Sequence, residues 1–433
     1  MVDAQPTGKG HGPPSNQIKL AVLDNTRNKY QLVTEYPQGK SVTLERVELP
    51  PIRSPAETIK FGGPRRVVSV DILRGLVMAI MALDHTRDFF TTSGFNPRDV
   101  TEPALFLTRW ITHFCAPIFI LLAGLSAFLY GRSRSTEELS RFLLTRGLWL
   151  ILIDLTIINF GWRFDLDLYR LGAGVIFVIG VSMVALAALI WLPRWAIAGV
   201  SFIMLTGHNL LDGLTAEQFG EGSSAWHILH EPGLVPLGDR VTLYILYPLI
   251  PWVGVMAAGY LLGPLMQLEG RARRQLLLKL GAAVTFGFIV LRATNLYGDP
   301  TPWFPQDDWL STMLSFLNCE KYPPSLLYLM MTLGPALMLL AWLDDARGAL
   351  ASFFATFGRV PFFYYVVHIY LIHALAVVIA FAMTGVLTTT PEINFNLIGV
   401  YITWLSVIVL LYPICRWFAH LKQTGSAWWW AYL

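Results

Sequence analysis

The feature that most constrains this chain is the recurrence of apolar stretches about 20 residues long, the length a helix needs to cross the hydrocarbon of a bilayer. They fall at 67–90, 103–131, 142–161, 172–191, 195–213, 240–265, 275–293, 323–343, 352–383 and 396–419. Backbone polar groups in lipid must be bonded within their own segment, so each stretch is expected to be a helix. The expected fold class is therefore all-α, a polytopic integral membrane helical bundle of about ten transmembrane helices. Composition agrees. With 54% hydrophobic and 14% charged residues there is too little charge for a water-facing surface, and 15 Trp suit rings at the headgroup level.

A net charge of +3 on such a chain is a topology signal rather than a nucleic-acid footprint, and no nucleic-acid partner is expected. Once the spans are drawn, Lys60, Arg65, Arg66, Arg132, Arg134, Arg141, Arg146, Arg271, Arg273, Arg274, Lys279, Arg416 and Lys422 share one side. The positive-inside rule makes that side cytoplasmic, with both termini there. The opposite connections, near 91–102, 162–171, 214–239, 294–322 and 384–395, carry fewer cations and collect Trp162, Trp226, Trp303 and Trp309. They are expected outside, and the location expected is a cell membrane, inner or plasma, crossed many times.

Residues 1–64 are polar and punctuated by Pro and Gly. They read as a largely disordered cytoplasmic tail in which QLVTEY and SVTLERVEL form at most a marginal hairpin, leaving 65–433 as the membrane domain. The start, MVDAQPTGKGHGPPSNQ, has no apolar core of a cleavable signal, so the first membrane helix is expected to direct insertion. Cys115, Cys319 and Cys415 are odd in number and far apart, which implies neither a disulfide framework nor a zinc site. No metal is expected, because HExxH and CxxC are absent and no paired carboxylates accompany the histidines.

Charges at membrane depth are expensive and are read as functional first. The first span, RVVSVDILRGLVMAIMALDHTRDFF, carries Asp71, Arg74, Met78, Met81, His85 and Asp88 on one stripe about 100° wide. Asp71 and His85 are separated by about 21 Å of helix rise, the scale of an extended, partly polar ligand. The plain alternative is that Asp71 and Arg74, at i and i+3, pair to anchor the helix. Asp88 shares a face with His85 and is expected to hold its imidazole in one tautomer, as a general base requires.

The second span, TRWITHFCAPIFILLAGLSAFLYG, brings His113 to a comparable depth, so both histidines are expected to face one outer-half cavity. In GRVPFFYYVVHIYLIH, His368 and His373 are about 140° apart around the helix and cannot both meet one ligand; His368 is the one expected to line the cavity. The outer connections GWRFDLDLYR, with Trp162 and Asp165, and GHNLLDG, with Asn209 and Asp212, offer aromatic, amide and carboxylate groups suited to a polar acceptor such as a sugar. Loop capping and an interfacial aromatic belt are the plainer reading of those two runs.

RVVSVDILRGLVMAIMALDHTRDFF and TRWITHFCAPIFILLAGLSAFL, with LYPLIPWVGVMAAGYLLG, CEKYPPSLLYLMMTLGP, GRVPFFYYVVHIYLIH and SAWWWAYL, resemble the catalytic membrane domain of the heparan-alpha-glucosaminide N-acetyltransferase family, in its bacterial branch. The resemblance implies a transmembrane acyltransferase that takes acetyl-CoA as co-substrate from the cytosol and acetylates a hydroxyl or amine of an acceptor on the far side. In the family an Asn near the outer end of the first helix and a His shortly after it are the active pair. Here His85 stands at the Asn position, counted from SVDxxRG, and the next His is His113.

The expected catalytic group is accordingly His113, His85 and Asp88, with His113 slightly preferred as base or acetyl carrier. Arg74, Asp71, Arg65 and Arg66 are expected at the CoA phosphates, since guanidinium matches phosphate oxygens. Trp162, Asp165, Asn209, Asp212 and His368 are expected at the acceptor. The expected partners are acetyl-CoA, the lipid bilayer and a glycan or glycolipid acceptor, with a homodimer left open. The rival class is a proton- or solute-coupled transporter using the same buried charges.

Overall fold

A computed structural model describes residues 67–91 and 98–425, together with three short strands nearer the N-terminus. The chain divides into two units, Met1–Gly63 and Pro64–Leu433. In the first, β1 (Lys19–Ala21), β2 (Gln31–Thr34) and β3 (Val42–Thr43) form an antiparallel sheet, with Val33 opposite Thr43. β2 and β3 come from the two runs read as a marginal hairpin. Arg65, Arg66 and the closing SAWWWAYL lie outside the described residues.

The second unit is almost entirely helical. Its helices are α1 (Val68–Phe90), α2 (Pro103–Thr112), α3 (Cys115–Gly131), α4 (Thr136–Ile153), α5 (Asn159–Arg163), α6 (Val175–Leu189), α7 (Arg194–Gly207) and α8 (Ser223–Leu229). They continue as α9 (Leu249–Leu262), α10 (Gly270–Thr294), α11 (Trp309–Leu317), α12 (Leu326–Trp342), α13 (Ala349–Arg359), α14 (Pro361–Thr384) and α15 (Leu397–Thr424). The protein is a polytopic helical membrane protein, as its hydropathy requires.

Among the described residues seven helical stretches are long and apolar enough to cross a membrane: 103–131, 136–163, 249–267, 270–294, 326–345, 361–384 and 397–424. An eighth is formed if Arg194–Leu211 and Ala216–Leu229, bent by 112°, count as one span. Two of the ten expected spans fall outside this group for physical reasons. α1 has the length, 23 residues, but carries Asp71, Arg74, Asp84, Arg87 and Asp88; α6 is apolar but only 15 residues long.

Local chemistry explains three further departures from the drawn spans. Residues 103–131 break at His113 and Phe114, between α2 and α3. Residues 352–383 break where Pro361 starts α14, because proline lacks the N–H that a continuing helix needs. The stretch at 240–265 begins as a strand, β6 (Val241–Ile245), whose alternating Val-Thr-Leu-Tyr-Ile suits a pleated surface. β6 pairs antiparallel with β5 (Gly233–Leu237) and parallel with β4 (Arg170–Ala173).

α1 is the centre of the bundle, packed against α13, α14, α15 and α3. Two glycines let it approach α13 backbone to backbone. A Cβ on Gly75 would collide with the Phe354 carbonyl, and one on Gly358 with that of Asp71. Close contact through small residues is how helices associate where lipid removes the usual hydrophobic drive. Putting α1 inside hides its polar stripe from lipid, and Asp71, Met78 and Met81 are all buried.

Candidate functional site

Between α4 and α5 the helix widens into a π turn, Asp154–Ile158. Such turns hold one extra residue per turn and re-aim the side chains around them. Asn159 fixes this one to β4: its Nδ2 donates to the carbonyls of Asp154 (2.6 Å) and Gly172 (2.8 Å), and its Oδ1 accepts from the Gly172 amide (2.7 Å). The π turn, the β4–β6 sheet, the C-terminal part of α1 and Tyr365 of α14 line an open-mouthed cavity of about 630 Å³. Asp84, His85, Asp88, Asp154, Trp162, Tyr247 and Tyr322 all face it.

His85 is the imidazole on that wall. Its Nδ1 lies 2.7 Å from Nε2 of His368, and the two rings stack with centroids 4.9 Å apart. Trp162 meets His85 edge-on at 4.8 Å. The buried partner His368 turns its own Nδ1 to the Tyr364 carbonyl at 3.0 Å. A carbonyl only accepts, so in the neutral pair His368 Nδ1 carries a proton and His368 Nε2 is an acceptor. The proton between the rings then sits on His85 Nδ1, which leaves His85 Nε2 with its lone pair. No described residue bonds that nitrogen.

The expected pairing of Asp88 with His85 is replaced by a different one. Arg87 takes Asp84 at 2.7 Å and Asp88 at 2.9 Å, because its guanidinium sits between two carboxylates at i−3 and i+1. His85 therefore finds its partner on α14. Asp84 also accepts from Thr112 Oγ1 (3.0 Å), which ties α1 to α2. Lys321, in the loop before α12, is buried beside this group. Burial works against its ammonium, yet Tyr322 and Asp84 hold its pKa above the ordinary lysine value.

His113 occupies the α2–α3 break, 2% exposed, and is absent from the cavity wall. Neither ring nitrogen has a hydrogen-bond partner among the described residues. Its carbonyl accepts from the Tyr328 hydroxyl at 2.7 Å. The two histidines expected to share one cavity are thus separated: the helix ends at His113, and its ring packs toward α12 and Tyr328. His373 bonds the carbonyls of Gly161 and Thr389, so on α14 His368 alone of the two meets His85.

Of the residues expected at an acceptor, Trp162 lines the cavity, while Asp165 lines a neighbouring groove of about 250 Å³. Asn209, Asp212 and His368 line neither; His368, expected to line the cavity, is fully buried and bonds His85 instead. Asn209 donates to Asp212 at 2.8 Å and accepts the Leu326 amide at 2.9 Å, and His230 bonds Asp212 at 3.2 Å. These groups pin the bent α7–α8 region to the start of α12. That is the capping reading of GHNLLDG, and it follows from short polar side chains bonding nearby backbone.

At the other end of α1, Arg74 lies 3.6 Å from Asp71, so the anchoring pair is formed. Arg74 also donates to Ser126 Oγ (2.7 Å) and to the Gly358 carbonyl (3.3 Å), joining α1 to α3 and α13. Among the described residues no group of three His, Cys, Asp or Glu side chains has an arrangement that holds a metal ion.

Asp154, Tyr247, Tyr322 and Tyr365 are cavity residues that the sequence alone does not assign to a site. Asp154 had a signal, a lone carboxylate in the apolar run WLILIDLTIINF. Tyr247, Tyr322 and Tyr365 had none, because tyrosine is common at membrane interfaces.

No curated protein matches this chain. The model of a family described as "Heparan-alpha-glucosaminide N-acetyltransferase, catalytic" matches residues 66–293, which spans α1 to α10 and brings in His85, Asp154 and Trp162. Tyr322 and Tyr365 of the cavity wall, and His368 beside His85, lie beyond the matched segment, so the cavity is completed by parts of the chain that follow it. The match covers more than half of the chain, which is therefore a multi-pass membrane protein belonging to the heparan-alpha-glucosaminide N-acetyltransferase catalytic family, a family of membrane acetyltransferases.

Proposed function

We propose that this protein transfers an acetyl group from cytosolic acetyl-CoA to a hydroxyl or amine of a carbohydrate acceptor presented at the outer face of a cell membrane. The observation that carries the reading is His85, held in one tautomer by His368 with its Nε2 left unbonded on the wall of a 630 Å³ cavity. A neutral imidazole with a free ring lone pair can accept the proton of a hydroxyl or amine that lies within hydrogen-bond reach. Trp162, Tyr247 and Tyr365 supply flat apolar faces for a sugar ring.

In this reading His85 Nε2 takes the proton from the acceptor's hydroxyl or amine as its oxygen or nitrogen bonds the thioester carbon. The carbon–sulfur bond breaks, and the departing thiolate receives that proton from the His85 imidazolium. His368 keeps the charged ring in place by accepting from its Nδ1. His113, favoured by sequence context, is sealed away from the cavity, which supports giving the base role to His85. At the other end of α1, Arg74, steadied by Asp71, and Arg65 and Arg66 ahead of the helix are proposed to meet the phosphates of the donor.

The test is acetyl transfer from labelled acetyl-CoA to the glycans and lipids of membranes containing the protein, read by mass spectrometry. Acetylated product made by the parent and lost in His85→Ala supports the reading. Product made equally by both would overturn the role of His85. Proton-coupled solute flux with no acetyl-CoA consumption would overturn the enzyme.

A further inference from the structure

Asp154 is the one carboxylate on the cavity wall that lies within the π turn, and it is 1% exposed. Its Oδ2 accepts the Gly174 amide at 3.0 Å. The amide of Phe177, one turn further into α6, also approaches the carboxyl. Its Oδ1 has no hydrogen-bond partner, and among the described residues no Lys or Arg pairs with Asp154. A buried carboxylate oxygen without a donor is costly to leave that way, and native proteins keep such atoms where something else supplies the bond. The neighbouring aromatic faces of Trp162 and Tyr365 belong to the same cavity as His85.

We propose that Asp154 is an acceptor-binding residue: Oδ1 receives a hydrogen bond from a hydroxyl or ammonium of the acceptor, holding it in the cavity that His85 also lines. This rests on the acetyl-transfer reading above for its identity as an acceptor site. Capping of α6 occupies one oxygen and leaves the other, buried, without a donor, and the π turn that places Asp154 on the cavity wall is clamped to β4 by Asn159. The shared chemistry is a hydrogen-bond donor on a sugar-sized molecule.

The experiment is saturable binding of labelled D-glucosamine and D-glucose to the purified full-length protein and to Asp154→Asn. Asparagine keeps an oxygen for the Gly174 amide and turns an NH₂ toward the cavity, so donor meets donor. The parent binds at least one sugar, and Asp154→Asn weakens it by about tenfold or more, the loss expected for a hydrogen bond to a charged group. A larger loss for D-glucosamine than for D-glucose identifies an ammonium; equal losses identify a hydroxyl. Failure of the parent to bind either sugar, or unchanged binding in Asp154→Asn, overturns the proposal.

If Asp154→Asn does not fold, labelling of Asp154 in the parent by a hydrophobic carbodiimide decides. Slowing by either sugar supports the site, and no slowing overturns it. Acetyl transfer by the parent is measured alongside. Asp154-dependent sugar binding without any transfer sinks the proposed function alone, whereas intact transfer with Asp154-independent binding sinks this site alone.

Discussion

Nδ1 of His85 on α1 and Nε2 of His368 on α14 are 2.7 Å apart although 283 positions separate them in the chain. The contact exists because α1 packs against α14, and the Tyr364 carbonyl one turn back on α14 orients the second ring. A histidine pair of this kind fixes which nitrogen of the cavity-facing ring keeps its lone pair.

Removing His85 should therefore lower acetyl transfer by about 10² to 10⁴, the range for losing a positioned general base. His368→Ala should lower it less, by about tenfold, since the base remains but loses its tautomer. His113→Ala should fold and keep most activity. Steady-state turnover of purified, acetyl-CoA-binding variants checks all three; a dead His113→Ala beside an active His85→Ala reverses the assignment.

Orientation gives the second prediction. With Cys115, Cys319 and Cys415 replaced, a cysteine at Asp307→Cys should react with an impermeant thiol reagent from outside, and one at Gly270→Cys should not. Both positions are exposed on the protein. The charge asymmetry of the loops sets this expectation. The opposite labelling pattern would put the His85 end of α1 in the cytosol and remove the basis for an outer acceptor.

Much of this fold is legible because lipid leaves only one solution for long apolar segments. The polar stripe of α1 was legible for the same reason, as buried charge stands out against Leu and Met. Partners were not. Asp88 follows His85 by one helical turn, which makes it the natural candidate from sequence, yet Arg87 claims it. His368 comes from a helix nearly three hundred residues away, and spacing along a chain says nothing about which helices pack. The break at His113 was hidden as well: TRWITHFCAP reads as continuous helix, and the interruption decides that its ring faces α12 rather than the cavity.

Arg292 yields a prediction about the loop between α10 and α12. It is 1% exposed, donates to the carbonyls of Phe316, Thr301, Ser315 and Asn318, and sits 3.6 Å from Asp299. Only a planar fork of donors serves so many acceptors at once. Arg292→Ala leaves those groups buried and should cost about 3–5 kcal/mol of stability. Arg292→Lys should recover only part, because one ammonium cannot reach four carbonyls. Since the loop carries Tyr322 to the cavity and Lys321 to the neighbourhood of Asp84, transfer should fall alongside thermal stability. Full activity in a destabilised Arg292→Lys would separate the loop from the chemistry.

Arg74 is asked to do two things, and its variants distinguish them. It joins α1 to α3 through Ser126 and to α13 through the Gly358 carbonyl, and it is proposed to meet the phosphates of acetyl-CoA. Ser126→Ala removes a neutral partner of Arg74 while leaving its charge, so it should lower the melting temperature slightly and leave donor affinity near the parental value. Arg74→Lys keeps the charge but loses the fork, and bidentate phosphate contact should weaken by about tenfold. Arg74→Ala should lose more of both, including the counter-charge of the buried Asp71. Calorimetric binding of acetyl-CoA beside thermal melts reads the two effects separately. If Arg74→Ala melts early yet binds acetyl-CoA as tightly as the parent, Arg74 is an anchor between helices, and the donor's phosphates are held elsewhere.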